Sequence, residues 1–453
     1  MVVSGRAARA VPAPVTPGLE ARKTAAKLLS AIVDRKTPLD GLTDAEHGNP
    51  AYLALEGRDR ALVRAILATA LRFRNTIEAL IAARLDRPIP PNALSLGHIM
   101  HVGAAQMLFL DVPDSAAVDL AVEHAKSDPR TARFAGLVNA VLREIGRRKE
   151  RALPVVVEKT VDAPDWFAAM LREGYGEERA AAILAIHRTE APTDFTVKSE
   201  PGRWADAFGG LVLPGGTVRV PHLDKAVTDL PGYADGQWWV QDFSAALPAR
   251  LLGDVAGQRV LDLCAAPGGK TAQLVAAGAQ VTAVEKSRNR LKRLEANLTR
   301  LGLKAESVEA DLFDYAPERQ FDAVLLDAPC SSTGTVRRHP DVPWTKSPDD
   351  VAKLAALQAR MLAHAATLVK PGGVLVFSNC SLDPSEGEAV VADFVAAHPG
   401  FVIEPADASA LGIPASMVYA GGRLRTTPAD LPDHDLSRAG CDGFFAARFR
   451  RQS

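Results

Sequence analysis

Residues 259–286 read RVLDLCAAPGGKTAQLVAAGAQVTAVEK, and this stretch decides the fold. An apolar run, RVLDLCA, enters a turn of small residues. A helical segment, KTAQLVAAG, follows, and a second apolar run, QVTAVEK, closes the unit. Downstream the alternation continues through SRNRLKRLEANLTRLG, AESVEAD, FDAVLLDAP, a long loop, DDVAKLAALQARMLAHAATLV and GVLVFSNC. That rhythm predicts a mostly parallel sheet with helices on both faces, spanning 237–453. Ligands of such sheets sit beyond the carboxyl ends of the strands, so the residues just after each strand are the ones to read for chemistry.

Upstream the pattern changes twice. From Leu19 to about Arg148 apolar residues recur every three or four positions, as in ARKTAAKLLSAIV, RDRALVRAILATALRF and RFAGLVNAVLREI, which predicts an all-helical domain over 19–150. RPIPPN breaks it once, and DVPDS offers an Asp or Ser to cap a helix beginning near Ala116. Over 154–236 the text is mixed, with helices around Trp166 to Glu173 and Glu177 to His187, then strand-like DFTVKSE and GTVRVPH. A small α+β module is expected there. The Ala/Pro/Val-rich residues 1–18 read as a disordered tail.

The bulk numbers agree with a multidomain folded chain. At 453 residues it is too long for one core, and its 47% hydrophobic, 24% charged composition contains no apolar run of bilayer length. No membrane role is expected. Net charge is −1, yet residues 1–150 hold 21 Lys+Arg against 16 Asp+Glu, which leaves the remainder at −6. A basic front end suits nucleic acid, as it equally suits a solvated helical surface. The four cysteines form no CxxC pair and have no His at zinc-finger spacing, so neither a disulfide scaffold nor a metal site is read here.

Three acids and two thiols fall at predicted strand ends. In CAAPGGKT, Gly268 and Gly269 let backbone approach a ligand closely; the loop is neither GxGxxG nor GxxxxGKS/T. Glu285 closes the next strand, 17 residues after Gly268, where doubly wound folds place a ribose-binding carboxylate. Asp311 and Asp327 close the two strands after it, and together with the glycine loop they point to an adenosyl ligand. Cys330 follows Asp327 by three residues and Cys380 follows VLVFSN, so both thiols are expected at the same sheet edge. Cys264 and Cys441 read as ordinary small hydrophobes.

Paired thiols beside such a pocket suit methyl transfer to carbon 5 of cytosine. That carbon is too weak a nucleophile on its own; a thiolate adding to carbon 6 enriches it, and Asp327, hydrogen-bonded or proton-coupled to the N3 and amino edge of the base, stabilises the charge shift. The loop TGTVRRHPDVPW, with Arg337, Arg338, His339, Asp341 and Trp344, is expected to meet an RNA strand with an unstacked base.

LDLCAAPGGKT, DAPCSSTGTVRRHPD and SNCSLDPSEGE, with VQDFSAALPARLL before them, resemble the RNA 5-methylcytosine methyltransferases of the NSUN/RsmB superfamily over 241–448. RDRALVRAILATALRFRN, HVGAAQMLFLDVPDSAAVDLAVEHAK and RFAGLVNAVLREIGR resemble the NusB fold, an arrangement found in the RsmB-type enzymes that methylate small-subunit (16S) rRNA. The resemblance implies a NusB-like RNA-binding domain over 19–150, an RRM-like module over 154–236 and a Rossmann-like methyltransferase domain over 237–453. It also implies S-adenosyl-L-methionine as cofactor and small-subunit rRNA as partner. The cofactor positions carried over are Cys264, Ala265, Ala266, Pro267, Gly268, Gly269, Lys270, Glu285, Asp311 and Asp327. Only the resemblance assigns attack to Cys380 and product release to Cys330. Asn379 stands where Thr is usual, Ser332 where Gly is usual, SEGE where EENE or EEGE is usual, and FTVKS at 195–199 replaces the family's LRVN string. A cytoplasmic monomer is expected. The alternatives are a tRNA cytosine methyltransferase and a non-catalytic RNA-binding assembly factor.

Overall fold

The structure is a computed structural model that describes residues 16–90, 93–419 and 421–453; residues 1–15 of the expected tail lie outside them. The chain divides into two compact units, Met1–Asp162 and Ala163–Ser453. Among the described residues no helix is long and apolar enough to cross a membrane.

The first unit is helical, as the three- and four-residue spacing requires. Its longer helices are Leu19–Arg35, Gly57–Arg72, Ser95–Phe109, Asp114–Ser127 and Ala135–Lys159. Leu28, Ile32, Ile66, Leu67, Leu96, Met100, Val138 and Leu142 close the core with essentially no exposure. Helix Ser95–Phe109 is buried without interruption from His98 to Met107, the signature of a central helix. Two of its polar side chains are partnered inside the unit: His98 Nε2 meets Asp34 at 2.9 Å and Gln106 accepts Arg22 Nε at 2.9 Å.

Two boundaries differ from expectation. The helix read from Ala116 starts at Asp114, because Pro113 at the N-cap presets its φ and lacks an N–H to satisfy. No side chain caps it there, and the Asp114 carboxylate accepts Lys149 Nζ at 2.9 Å instead. The last helix runs through Pro154 to Lys159, so this unit extends past 150. Asp162 ties that extension down by accepting the N–H and hydroxyl of Thr76, each at 2.8 Å, in the first turn of helix Arg74–Ala82.

The second unit opens with helix Asp165–His187, kinked where Gly176 takes φ 77°. Four short strands follow, β1 Thr193–Val197, β2 Leu211–Val212, β3 Val218–Val220 and β4 Trp238–Val240, in antiparallel order β2-β3-β1-β4. Helix Pro201–Phe208 covers this sheet through Phe195, Trp204 and Trp238. The mixed helix and strand content matches the expectation for this stretch. Fully buried Arg219 and Asp194 form a two-pronged ion pair, both contacts at 2.7 Å.

The large sheet contains β5 Arg259–Leu263, β6 Gln280–Glu285, β7 Glu306–Glu309, β8 Phe321–Asp327, β9 Val369–Asn379, β10 Phe401–Glu404, β11 Val418–Tyr419, β12 Arg423–Thr426 and β13 Phe444–Arg451. Its order is β11-β12-β13-β9-β8-β5-β6-β7, with β10 beside β13. β5 to β9 run parallel and the remainder antiparallel, so the doubly wound expectation holds for the half that carries the site. Successive residues feed opposite faces: Val324, Leu326, Leu375 and Phe377 enter one core, while Ala323, Leu325, Val374 and Val376 enter the other. Each large side chain so buried contributes about 1.5–3 kcal/mol. The β8–β9 register sets Asp327 opposite Ser378, and this pairing positions the chemistry.

Candidate active site

β5 ends at Leu263, and Cys264 turns the chain with φ 60°, a left-handed conformation that swings the loop toward the sheet edge. Gly268 holds φ 100° at the N-cap of helix Gly269–Ala276; a Cβ there would lie 3.0 Å from Leu294 Cγ. The neighbouring helix Arg288–Leu301 fastens the loop, Arg290 Nη2 donating to the Ala266 carbonyl at 2.7 Å and Asn297 to that of Pro267 at 2.9 Å. The loop so fastened brings Cys264 and Ala266 to one cleft.

That cleft has a volume of about 710 Å³ and is lined by Cys264, Ala266, Glu285, Asp311, Asp327, Cys330 and Cys380, with Phe313, Leu357 and Met361 supplying apolar wall. Of the expected loop positions, Ala265, Pro267, Gly268, Gly269 and Lys270 shape the turn without lining it. Burial pushes the Cys264 thiol up to about 12, which keeps it neutral. Cys441 is fully buried in the core, as expected of a small hydrophobe.

The three acids are held differently. Glu285, 3% exposed, accepts the Ser287 N–H at 3.0 Å through Oε1. Its Oε2 lies 3.3 Å from Arg290 Nη1 but outside hydrogen-bond geometry, and among the described residues it accepts no hydrogen bond. A buried acceptor left this way costs about 1–3 kcal/mol, which an incoming hydroxyl donor recovers. Asp311 lies two residues past β7, where Lys286 at 2.7 Å and the Phe313 N–H hold its carboxyl below the usual range. Asp327 accepts Lys270 Nζ at 2.8 Å on Oδ2 and the Ser378 hydroxyl at 2.8 Å on Oδ1, the latter set by strand register.

The thiols meet beside this carboxylate. Cys330 Sγ and Cys380 Sγ lie 3.4 Å apart. Hydrogen bonding from Cys330 holds the Cys380 thiol below its ordinary value, and the same bond with burial raises Cys330. Ser332 also donates to Cys380.

Sequence reading missed the scaffold behind the pair. Glu386, fully buried, accepts from Ser331 N at 2.9 Å, Ser331 Oγ at 2.5 Å and Gln358 Nε2 at 2.8 Å. SEGE signalled only a departure from a pattern. Phe444, whose ring lies 4.9 Å from Lys270 Nζ, arrives from the far strand β13 and left no signal near the motifs. Helix Asp165–His187 braces both cysteine loops, Trp166 Nε1 donating to Pro343 O at 3.1 Å and Tyr175 to Leu382 O at 2.6 Å.

The expected RNA-facing loop is corrected. Arg337 is 1% exposed and donates to Asp442 at 2.8 Å and Asp242 at 2.7 Å; Arg338 reaches the same two carboxylates and Pro192 O. Asp341 and Trp344 are buried too. These charges neutralise buried acids of the second unit, and a guanidinium so engaged offers little to a phosphate.

A family model described as 16S rRNA methyltransferase RsmB/F matches residues 249–450, and one described as the NusB family matches 19–147. Ribosomal RNA small subunit methyltransferase B of Salmonella arizonae is 34% identical over 397 residues, 83% of this chain and 90% of the relative. Its counterpart in Klebsiella pneumoniae is 34% identical over 412 residues, 87% of this chain and 93% of the relative. The crystal structure of PH0851 shares the fold, with a TM-score of 0.70 at 22% identity across 96% of this chain and 99% of its own. A glycine-loop cleft, its three acids and two relatives matched along nearly their whole length lead to one conclusion: the chain belongs to the RsmB/F family of 16S rRNA methyltransferases and carries a NusB-family domain at its front.

Proposed function

We propose that the chain methylates carbon 5 of a cytosine in small-subunit ribosomal RNA, using S-adenosyl-L-methionine and a covalent adduct between Cys380 and the base. The observation that carries this reading is the 3.4 Å approach of two cysteine sulfurs beside a nucleoside-sized cleft. The cleft fits the cofactor: unsatisfied Glu285 Oε2 takes ribose hydroxyls, Asp311 faces the adenine side, and Cys264 and Ala266 bring the glycine loop to its wall. When bound, the cofactor supplies an electrophilic methyl group.

The residues divide the remaining work. Cys380 adds to carbon 6 and sends electron density toward carbon 5. Asp327, oriented by Lys270 and Ser378, meets the N3 and amino edge of the base, accepting from the amino group and sharing a proton with N3 as negative charge builds there. After methylation the carbon 5 proton passes to a solvent base, its bonding pair re-forms the carbon 5–carbon 6 double bond, the carbon–sulfur bond breaks and its electron pair returns to Cys380; Cys330, next to that sulfur, assists the release. The NusB-family domain contributes RNA binding.

The test is transfer of tritium from labelled S-adenosylmethionine to unmodified small-subunit RNA, with the product located by bisulfite sequencing. Label at cytosine carbon 5, absent in Cys380→Ala, is expected; transfer to RNA that leaves cytosines untouched overturns the proposal.

A further inference from the structure

Two thiols 3.4 Å apart share one proton when one of them is the thiolate, and something must decide which sulfur keeps it. The charged groups facing the pair are Lys270 from the helix after the glycine loop, Asp327 from the end of β8 and Glu386 from the turn after β9. Lys270 and Asp327 are joined at 2.8 Å, so their fields on the sulfurs largely cancel. Glu386 differs. Among the described residues its recorded partners are the Ser331 N–H, the Ser331 hydroxyl and the Gln358 amide, all neutral, and the carboxylate is fully buried.

Its placement is selective for one cysteine. Two of its bonds fall on Ser331, the residue after Cys330, and Gln358 Nε2 also donates to the carbonyl of Pro329, the residue before it, at 3.0 Å. The peptide on each side of Cys330 is therefore clamped to this buried anion. On the Cys380 side the Glu386 carboxylate makes no bond: Asn379 Nδ2 donates to the Glu386 main-chain carbonyl at 2.7 Å, Ser381 Oγ meets Ser331 Oγ at 3.1 Å and Thr333 Oγ1 at 3.0 Å, and the Ser381 carbonyl accepts from Arg425, itself paired with Glu388.

We infer that Glu386 is a positioning residue that confines the shared proton to Cys330 and so leaves the thiolate on Cys380. This rests on the cysteine chemistry proposed above and supplies its missing asymmetry. An uncompensated negative charge behind Cys330 makes a second negative charge on that sulfur costly in a low-dielectric site, so the proton stays there and hydrogen-bonds toward Cys380. SEGE at 385–388 then has a function in its second position that the motif comparison did not assign.

The experiment needs neither RNA nor cofactor, which separates its failure from failure of the methylation reading. Full-length protein is alkylated with limiting iodoacetamide across pH 5.5–9, and the two cysteine peptides are quantified by mass spectrometry. In the wild type Cys380 is expected to react at least about tenfold faster than Cys330 at neutral pH. In Glu386→Gln, which keeps the shape and removes the charge, the ratio is expected to fall to within about threefold and the Cys380 midpoint to move to higher pH. Ser331→Ala, which removes a hydroxyl and keeps the charge, is expected to preserve the ratio. Equal labelling in the wild type, an unchanged ratio in folded Glu386→Gln, or the same collapse in Ser331→Ala overturns the inference. Should Glu386→Gln melt below assay temperature, Glu386→Asp retracts the charge by one methylene and must lower the ratio; no change there overturns it equally.

Discussion

Cys330 and Cys380 are 50 positions apart in the chain and their sulfurs are 3.4 Å apart in space. Each follows the carboxyl end of one of two adjacent parallel strands, and the Asp327–Ser378 register fixes how far the two ends are offset. If attack and release are divided between them, removing one thiol does not mimic removing the other. Cys380→Ala is expected to abolish methyl transfer without forming any adduct. Cys330→Ala is expected to accumulate protein bound covalently to RNA, visible as a slow band on a denaturing gel. Its absence in the presence of cofactor and substrate contradicts the release role.

Asp327→Asn removes the partner of Lys270, whose side chain is only 11% exposed. The substitution keeps the Ser378 acceptor and loses the charge facing the base. A fall of about 10²–10³ in kcat with little change in cofactor affinity is expected, measured by single-turnover methylation and calorimetry. A loss confined to cofactor binding would place Asp327 on the cofactor alone.

Gly268→Ala puts a Cβ 3.0 Å from Leu294 on a residue with φ 100°. Strain of about 1–3 kcal/mol is expected, expressed as displacement of the loop and weaker cofactor binding by calorimetry rather than as global unfolding. Wild-type affinity in this variant contradicts close backbone approach at the loop.

Arg337→Ala leaves Asp242 and Asp442, two buried acids, with Arg338 as their one remaining guanidinium among the described residues. Destabilisation of about 3–5 kcal/mol in chemical denaturation is expected. The salt dependence of RNA binding by the protein that remains folded is expected not to change, whereas a phosphate contact would lower its slope by about one.

Asp262 lies fully buried in β5, accepts Thr271 Oγ1 at 2.6 Å and is pushed by burial up to about 7. Between its unfolded value near 3.8 and about 7 the folded protein holds a proton that the unfolded chain has released. Its contribution to stability is therefore full at acid pH, falls as pH rises through this window and stays low above it. Asp262→Asn is expected to flatten that decline, as read from urea midpoints at pH 4.5, 6 and 7.5. Parallel wild-type and variant curves contradict the shift.

Much of the site was legible because its residues sit where strand periodicity ends. Glu285, Asp327, Cys330 and Cys380 needed only the alternation of strand and helix to be set at one sheet edge. What the sequence left hidden depends on long-range pairing. Phe444 over Lys270 requires knowing that β13 runs antiparallel beside β9, which no local pattern states. Arg337 and Arg338 read as RNA contacts because their acid partners, Asp242 and Asp442, lie far away in sequence and carry no local cue. The helix over 165–187 was grouped with the middle module by adjacency in the chain, whereas its apolar face packs on Val336, Val342 and Leu382 of the cysteine loops.

Parallel neighbours cannot be joined by a tight turn, so residues 328–368 form a long crossover between β8 and β9. That crossover is itself framework: its loop carries Arg337 onto Asp242 and Asp442, and its helix Pro348–Thr367 carries Gln358 onto Glu386 and sets Leu357 and Met361 in the cleft wall. A segment that answers buried charges and walls the cleft at once travels only with its partners, so a graft of this crossover from a relative has to bring Asp242, Asp442 and Glu386 along.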